Sequence, residues 1–209
     1  MQHLLILFFA TFSAAFMATV PPGLLNLNAA KTSVEKDKLN GVIFSLGVST
    51  VIMLQATIAV FISKFLDRNP HVVSALLEVA IVVFATLAVY FFIAAKRNKK
   101  TKIKAIKISK RNSYFKGMFL AALNLLTIPY YSGLNIMWNA SGWIKFMFLD
   151  IAIFVLAAGL GTFSVLYLYV FYFDKLEHKT NRFERNANYI LSFLMVLLLI
   201  ITVVRVLNR

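Results

Sequence analysis

The sequence has no cysteine and very little histidine. With no cysteine among 209 residues, neither disulfide bonds nor Cys-ligated metal sites are possible. The histidines His3, His71 and His178 all lie near the ends of apolar segments. This leaves little material for a metal site or a histidine general base inside a membrane. We therefore expect no metal and no cofactor.

Acidic residues are also scarce. The chain has 8 Asp and Glu against 22 Lys and Arg, which gives a net charge of +14. The basic residues lie between apolar segments, where they act as topology signals. The most basic stretch, residues 96–112, contains no aromatic side chain. This distribution favours contact with anionic lipid headgroups and argues against nucleic-acid binding.

Apolar runs dominate the rest of the chain. Hydrophobic residues make up 60% of the sequence, whereas soluble domains are usually under half apolar. A spanning helix needs about 20 mainly apolar residues, and the runs are continuous and do not alternate as in a β-barrel. The sequence predicts an all-α integral membrane protein with six transmembrane helices, over residues 4–27, 40–63, 72–95, 114–137, 144–171 and 187–207.

The positions of the basic residues predict the orientation. Three of the connections between spans, which share one side of the membrane, hold 17 of the 22 Lys and Arg when Lys116 is included. The positive-inside rule places that side in the cytoplasm and both termini outside it. The first apolar run has no basic residue ahead of it, so we expect a retained helix and not a cleaved signal peptide. We expect a multi-pass protein of the plasma membrane, which is the inner membrane in bacteria.

The basic stretch 96–112 divides the chain into two similar halves. Residues 1–95 and 114–209 each hold three predicted spans, and an odd number of spans gives the halves opposite orientations. This is the layout of two inverted three-helix repeats. Because no connection is rich in Gly, Ser or Pro, we expect a single transporter domain over residues 1–209.

The first span contains helix-breaking residues in the stretch "ATVPPGLLNLNAAK". Proline removes a backbone hydrogen bond and clashes with the preceding turn, so Pro21, Pro22 and Gly23 predict a broken helix. In hydrocarbon the freed carbonyl groups need partners, so the stretch is expected to face protein or a water-filled cavity. Asn26 and Asn28 bring amide donors and acceptors to the same place.

The fourth span, first of its half, carries a counterpart in "AALNLLTIPYYSGLN". Pro129 predicts a second broken helix, with Asn124 before it and Tyr130 and Tyr131 after it. Interrupted helices at matching positions of two halves indicate the substrate site of a transporter. Asn26 and Asn124 are predicted to bind the substrate, and either tyrosine to close over it. The alternative is that both prolines are ordinary kinks.

Small residues recur at a spacing of about one helical turn in the second and fifth spans. Such residues let helix backbones approach closely. We predict helix packing at these positions, beside the broken spans. They are Gly41, Ser45, Gly47, Ala157 and Gly161.

Acidic residues fall inside the predicted spans at Glu78 and Asp150. Ionisable groups in a membrane are costly and are candidates for function. Either carboxyl group is a candidate for coupling transport to a proton gradient. The alternative is an interfacial position, with Lys145 near Asp150 and His71 or Arg68 near Glu78.

These motifs resemble those of the LysE/RhtB-type superfamily of amino-acid exporters. Its members are six-span proteins with a Pro-Gly-Pro motif late in the first span and a Gly-containing second span. Here "VPPGLLN" and "NGVIFSLGVS" stand in those positions, and Phe115, Gly117, Asn124 and Pro129 match the fourth span. Two departures are Pro-Pro-Gly in place of Pro-Gly-Pro, and Ile128-Pro129 in place of an Asn-Pro pair.

The resemblance implies a proton-driven exporter of amino acids or similar small polar solutes, working by alternating access. Export as opposed to uptake rests on the resemblance alone, and a homodimer is an open possibility. Three alternatives remain: a transporter of a metal or other ion on the same fold, a membrane scaffold or assembly protein, and a membrane enzyme. An enzyme is disfavoured because the spans lack a cluster of Asp, His or Ser at chemical spacing.

Overall fold

The computed structural model describes residues 2–21, 23–96 and 113–207, and all the regular secondary structure there is α-helical. The prediction of an all-α protein is therefore confirmed. Pro22 and the basic residues 97–112 lie outside the described residues, and the predictions made for them stay predictions. The helices are α1 (Gln2–Thr19), α2 (Leu24–Glu35), α3 (Lys38–Arg68), α4 (Pro70–Lys96), α5 (Ser113–Ala122), α6 (Thr127–Ala140) and α7 (Phe148–Leu207).

Several described helices are long and apolar enough to cross a membrane. By length and composition these are α1, α3 and the first part of α7, Phe148–Tyr172. The pair α5 and α6 adds a fourth span if it is counted as one helix bent by 69°. Shorter apolar segments lie at Ala80–Tyr90 and Met195–Val204. These helices agree with a multi-pass membrane protein, and the number of six spans stays a prediction.

The last two predicted spans belong to one helix. Residues 144–171 and 187–207 were expected to be separated by a connection, but α7 is continuous from Phe148 to Leu207. The expectation of a loop between them is wrong. The stretch after residue 172 contains neither proline nor glycine, so its charged residues interrupt the apolar pattern without breaking the helix.

The chain forms two compact units. One comprises residues 1–65 and 103–176, and the other comprises residues 66–102 and 177–209. The second unit holds α4 and the end of α7, where the Ser192 hydroxyl donates a 3.0 Å hydrogen bond to the Ala88 carbonyl. All contacts described below lie in the first unit, except where α4 is named.

In the first unit, α3 and α5 lie side by side and run in the same direction. Ser113 donates to Asn40 near the start of both helices, and Gln55 contacts Ala121 further along. Between these points the backbones touch at Gly47 and Gly117. A Cβ atom on either glycine would overlap a backbone carbonyl of the facing helix. The absence of side chains therefore sets the separation of these two helices.

The helices α1 and α7 form a second parallel pair. His3 lies beside Asp150 near the start of both helices, and Tyr169 contacts Val20 beyond the end of α1. Between these contacts, a Cβ atom on Gly161 would lie only 2.6 Å from the Phe12 carbonyl oxygen. In both pairs, the second helix of one predicted half thus packs against the first helix of the other half.

The interior of the first unit is apolar between these pairs, and its outer surface is apolar as well. Phe44, Leu120 and Phe154 are almost completely buried. Large apolar side chains such as Phe9 and Phe61 remain more than half exposed. An outer surface of this kind suits contact with lipid.

Candidate functional site: two helix breaks

The first break lies between the end of α1 at Thr19 and the start of α2 at Leu24. The helix ends at Thr19 because the prolines that follow cannot donate a backbone hydrogen bond. The next helix starts at Leu24 with Gly23 in extended conformation ahead of it. No side chain caps this helix start. The predicted break in the first span is therefore present, and it leaves carbonyl groups without helical partners.

Two side chains bind the carbonyl groups of the first break. The Asn26 amide donates to the Thr19 carbonyl at 2.6 Å and to the Pro21 carbonyl at 3.0 Å. The Tyr169 hydroxyl donates to the Val20 carbonyl at 2.9 Å. Since unpaired carbonyls are costly in hydrocarbon, these bonds make the break compatible with a membrane interior. The Asn26 amide nitrogen is thus engaged with the break itself, whereas we expected it to contact substrate.

The second break comprises residues 123–126, where α5 and α6 meet at 69°. Pro129 lies in the first turn of α6, after the break. There its missing N–H group costs nothing, because first-turn N–H groups have no partner within the helix. The break in the fourth span is therefore present, and it precedes the proline that predicted it.

Gln55 of α3 faces the second break. Its amide nitrogen lies 3.3 Å from the carbonyl oxygens of both Ala121 and Asn124. These distances lie beyond the usual range for a hydrogen bond between a nitrogen donor and an oxygen acceptor. Asn124, predicted to bind substrate with its side chain, instead presents its backbone carbonyl to Gln55, and its side chain is exposed.

The two tyrosines after the second break have different environments. Tyr130 is partly exposed, and its hydroxyl donates a 2.8 Å hydrogen bond to the Ala14 carbonyl of α1. Tyr131 is buried and packs edge-on against the Phe154 ring at 5.8 Å. The prediction that one of these tyrosines closes over the substrate stays a prediction, and Tyr130 is the more exposed of the two.

Polar side chains line the buried faces of both helices that follow a break. In α2 these are Asn26, Asn28, Thr32 and Ser33, and in α6 they are Thr127, Tyr131, Ser132 and Asn135. Buried polar groups in a membrane protein usually serve packing or transport. Some of them are hydrogen-bonded between helices, as Ser132 is to α3.

Other buried oxygens of the first unit have no hydrogen-bond partner. Among the described residues these are Asn28 Oδ1, Thr32 Oγ1, Ser49 Oγ, Gln55 Oε1 and Asn135 Oδ1. An unpaired buried acceptor costs about 1–3 kcal/mol, so such a group calls for an explanation. Thr32 and Asn135 are not among the residues predicted from sequence. Asn135 lies one turn after Tyr131 on the same face of α6. Its polar side chain within a predicted span is the sequence feature that could have indicated it.

The predicted packing residues are all buried. A Cβ atom on Gly41 would lie 2.8 Å from the Ser33 Cβ and 2.9 Å from a Val170 methyl group. Ser45 donates to the Gly41 carbonyl at 2.9 Å. Ala157 is fully buried in α7. Together with Gly47 and Gly161 these residues lie where α2, α3 and α7 approach their neighbours.

The two acidic candidates differ in burial. Asp150 is buried, and its carboxylate lies 3.3 Å from His3 Nε2 and accepts the Lys145 backbone N–H at 2.8 Å. Glu78 is exposed on α4. Asp150 is therefore a buried carboxylate beside the partly exposed His3 side chain, whereas Glu78 is not buried.

The described helices and breaks define a class of protein: a multi-pass helical membrane protein with two interrupted helices and buried polar faces behind them. The chain matches the model of the LysE type translocator family over residues 6–204, and it belongs to that family. The searches of curated proteins and of solved structures gave no match. Since the family is one of translocators, the protein is a membrane transporter and not an enzyme.

Proposed function

We propose that the protein exports a small polar solute, with amino acids as the first candidates, across the plasma membrane by alternating access. The family supports transport and points to export. The helix breaks support a polar substrate, because they bring backbone carbonyl groups and buried amides together between helices. Pro21 and Gly23 lie at the first break, Asn124 lies at the second, and Pro129 and Tyr130 follow it in the first turn of α6.

The main support for the proposal is that each break is contacted by a helix of the opposite half. On α3, Gly47 allows close approach to α5, and about two turns later Gln55 contacts the second break. On α7, Gly161 allows close approach to α1, and the same interval later Tyr169 contacts the first break. This correspondence supports two inverted repeats, 1–95 and 114–209, with α4 and the end of α7 as their third members.

The cross-half contacts suggest how alternating access works. When one half rocks against the other, the helix that holds each break moves relative to the break. A single movement then alters both breaks. A substrate bound at either break is therefore exposed first to one side of the membrane and then to the other. The glycine contacts provide the surfaces on which the halves turn.

An efflux measurement tests this proposal. Cells with and without the protein are loaded with a panel of labelled amino acids, and the rate of loss is followed. We expect at least one amino acid to leave faster when the protein is present. If none responds while a metal ion or another ion does, the amino-acid assignment is wrong. If no solute responds, the proposed export of a small polar solute is wrong.

We further propose that the proton gradient drives export, with Asp150 or Glu78 as the coupling group. Replacing the coupling carboxyl group by its amide is expected to abolish the dependence of efflux on an imposed pH gradient. Asp150→Asn and Glu78→Gln are compared separately, each with efflux measured with and without the gradient. Dependence on pH that persists in both variants contradicts coupling through these residues.

A further inference from the structure

We propose that the second break binds a monovalent cationic group through the carbonyl oxygens of Ala121 and Asn124 and the amide oxygen of Gln55. The group is either an alkali cation or the ammonium group of a substrate. Binding at this place follows from the local geometry. Its role in coupling or in substrate recognition rests on the transport function proposed above.

The two breaks are held with unequal strength. At the first break, Asn26 and Tyr169 donate three hydrogen bonds of 2.6 to 3.0 Å. At the second break, one amide nitrogen of Gln55 is shared between two carbonyl oxygens at 3.3 Å each. The side-chain contacts to the carbonyl groups of the second break are therefore longer than those at the first break.

The second-break carbonyls present oxygen lone pairs to the Gln55 amide. The Ala121 carbonyl already accepts the Asn124 backbone N–H, and the Asn124 carbonyl accepts that of Thr127. A carbonyl oxygen has two lone pairs, so each retains one for Gln55 or for another donor. These carbonyls also lie at the C-terminal end of α5, where the helix dipole favours positive charge.

The Gln55 side chain completes the oxygen set when its amide group rotates by half a turn. Gln55 is only 5% exposed, and its Oε1 has no partner. Rotation brings Oε1 to the place of the nitrogen, so three oxygens then surround one point. In the observed orientation the amide nitrogen contacts both carbonyl oxygens, whereas in the rotated one three oxygens face each other, so a positive charge between them is needed to stabilise it. A bound cation would decide between the two orientations.

The chemistry of the oxygens indicates a monovalent ligand. Carbonyl and amide oxygens suit hard cations, and unwound backbone in transporters supplies such ligands. Residues 121–126 contain no acidic side chain to balance a second positive charge. The basic side chain closest along α5, Lys116, places its ammonium group 5.9 Å from the centre of the Phe44 ring, in an earlier turn of the helix.

Thermal unfolding of the purified protein tests the proposal without any transport assay. The melting temperature is measured in sodium, potassium, methylammonium and choline chlorides at equal ionic strength. We expect a saturable rise of about 5 °C over choline in at least one of the first three salts. A response to alkali salts alone assigns a free cation, and a response to methylammonium alone assigns a substrate ammonium group. Equal melting temperatures in all four salts would overturn the proposal.

Variants at Gln55 locate the effect. Gln55→Leu is expected to lose the cation response, and Gln55→Glu to bind the same cation more tightly. Tyr169→Phe, which alters the tether of the first break, is the matched control and should keep the wild-type response. A response unchanged in Gln55→Leu contradicts the site. If Gln55→Leu does not fold, the test rests on Gln55→Glu. A cation affinity of that variant no higher than that of the wild type also contradicts the site. If efflux persists while no salt changes the melting temperature, the cation site is wrong and the proposed export is unaffected.

Discussion

Replacing Gly117 with alanine is expected to lower the free energy of unfolding by about 3 kcal/mol or more. The added Cβ would overlap the backbone carbonyl of Phe44, and a Cβ on Gly47 would overlap that of Tyr114. A backbone carbonyl within a helix cannot turn aside as a flexible side chain can. Helices α3 and α5 would have to separate, and Gln55 would move away from the second break. We therefore expect both Gly117→Ala and Gly47→Ala to lose transport as well as stability.

Two other glycines provide controls for this experiment. A Cβ atom added to Gly133 in α6 would have no neighbouring atom within 4 Å, so Gly133→Ala should be neutral or stabilising. Gly159 faces the flexible side chain of Met53, so Gly159→Ala should have an intermediate effect. The melting temperatures and elution profiles of the purified variants measure this order of stability. A Gly117→Ala variant as stable as Gly133→Ala would contradict the close approach of α3 and α5.

Replacing Asn26 with leucine is expected to destabilise the protein by about 3 kcal/mol and to slow efflux more than tenfold. Leucine has a similar volume but no hydrogen-bond donor. The Thr19 and Pro21 carbonyls would lose the bonds that Asn26 makes, and each unpaired buried carbonyl costs about 1–3 kcal/mol. The end of α1 and the start of α2 would no longer be held together.

Asn124→Leu is the matched control for Asn26→Leu. Its side chain is exposed, so the substitution should leave the melting temperature close to that of the wild type. A slower efflux in Asn124→Leu without loss of stability would support its predicted contact with substrate. Equal melting temperatures for Asn26→Leu and wild type would show that the first break does not depend on its amide bonds.

The positions of both breaks could be predicted from sequence because proline acts locally. A missing N–H group and a fixed backbone angle interrupt a helix wherever proline falls beyond its first turn. The details were less accessible, since α6 begins ahead of Pro129 and tolerates it in its first turn. The proline rule places the disruption on the N-terminal side of Pro129, and α6 is found to start only two residues ahead of it.

The partners of the broken backbone could not be predicted in the same way. Gln55 is 66 residues from Ala121, and Tyr169 is 149 residues from Val20. Such contacts depend on how helices pack, and a single sequence carries no direct signal for them. For the same reason Asn26, adjacent to the break in sequence, was assigned to substrate although its amide nitrogen binds the backbone.

Helix α7 illustrates a second limit. Basic and polar residues after Tyr172 predicted the end of a span, because hydropathy reports preference for lipid or water. Helix continuity depends on the helical propensity of each residue. Lys, Arg and Glu have helical propensities similar to that of Leu. The change in polarity and the end of the helix therefore need not coincide.

We propose that transport depends on the contacts that each half makes with the break of the other. Efflux from proteoliposomes loaded with a responding solute tests it most directly, comparing the wild type with the double variant Gln55→Leu, Tyr169→Phe. We predict at least a tenfold slower efflux in the double variant, in preparations that still elute as a single folded species. Efflux at the wild-type rate from a folded double variant would contradict the account.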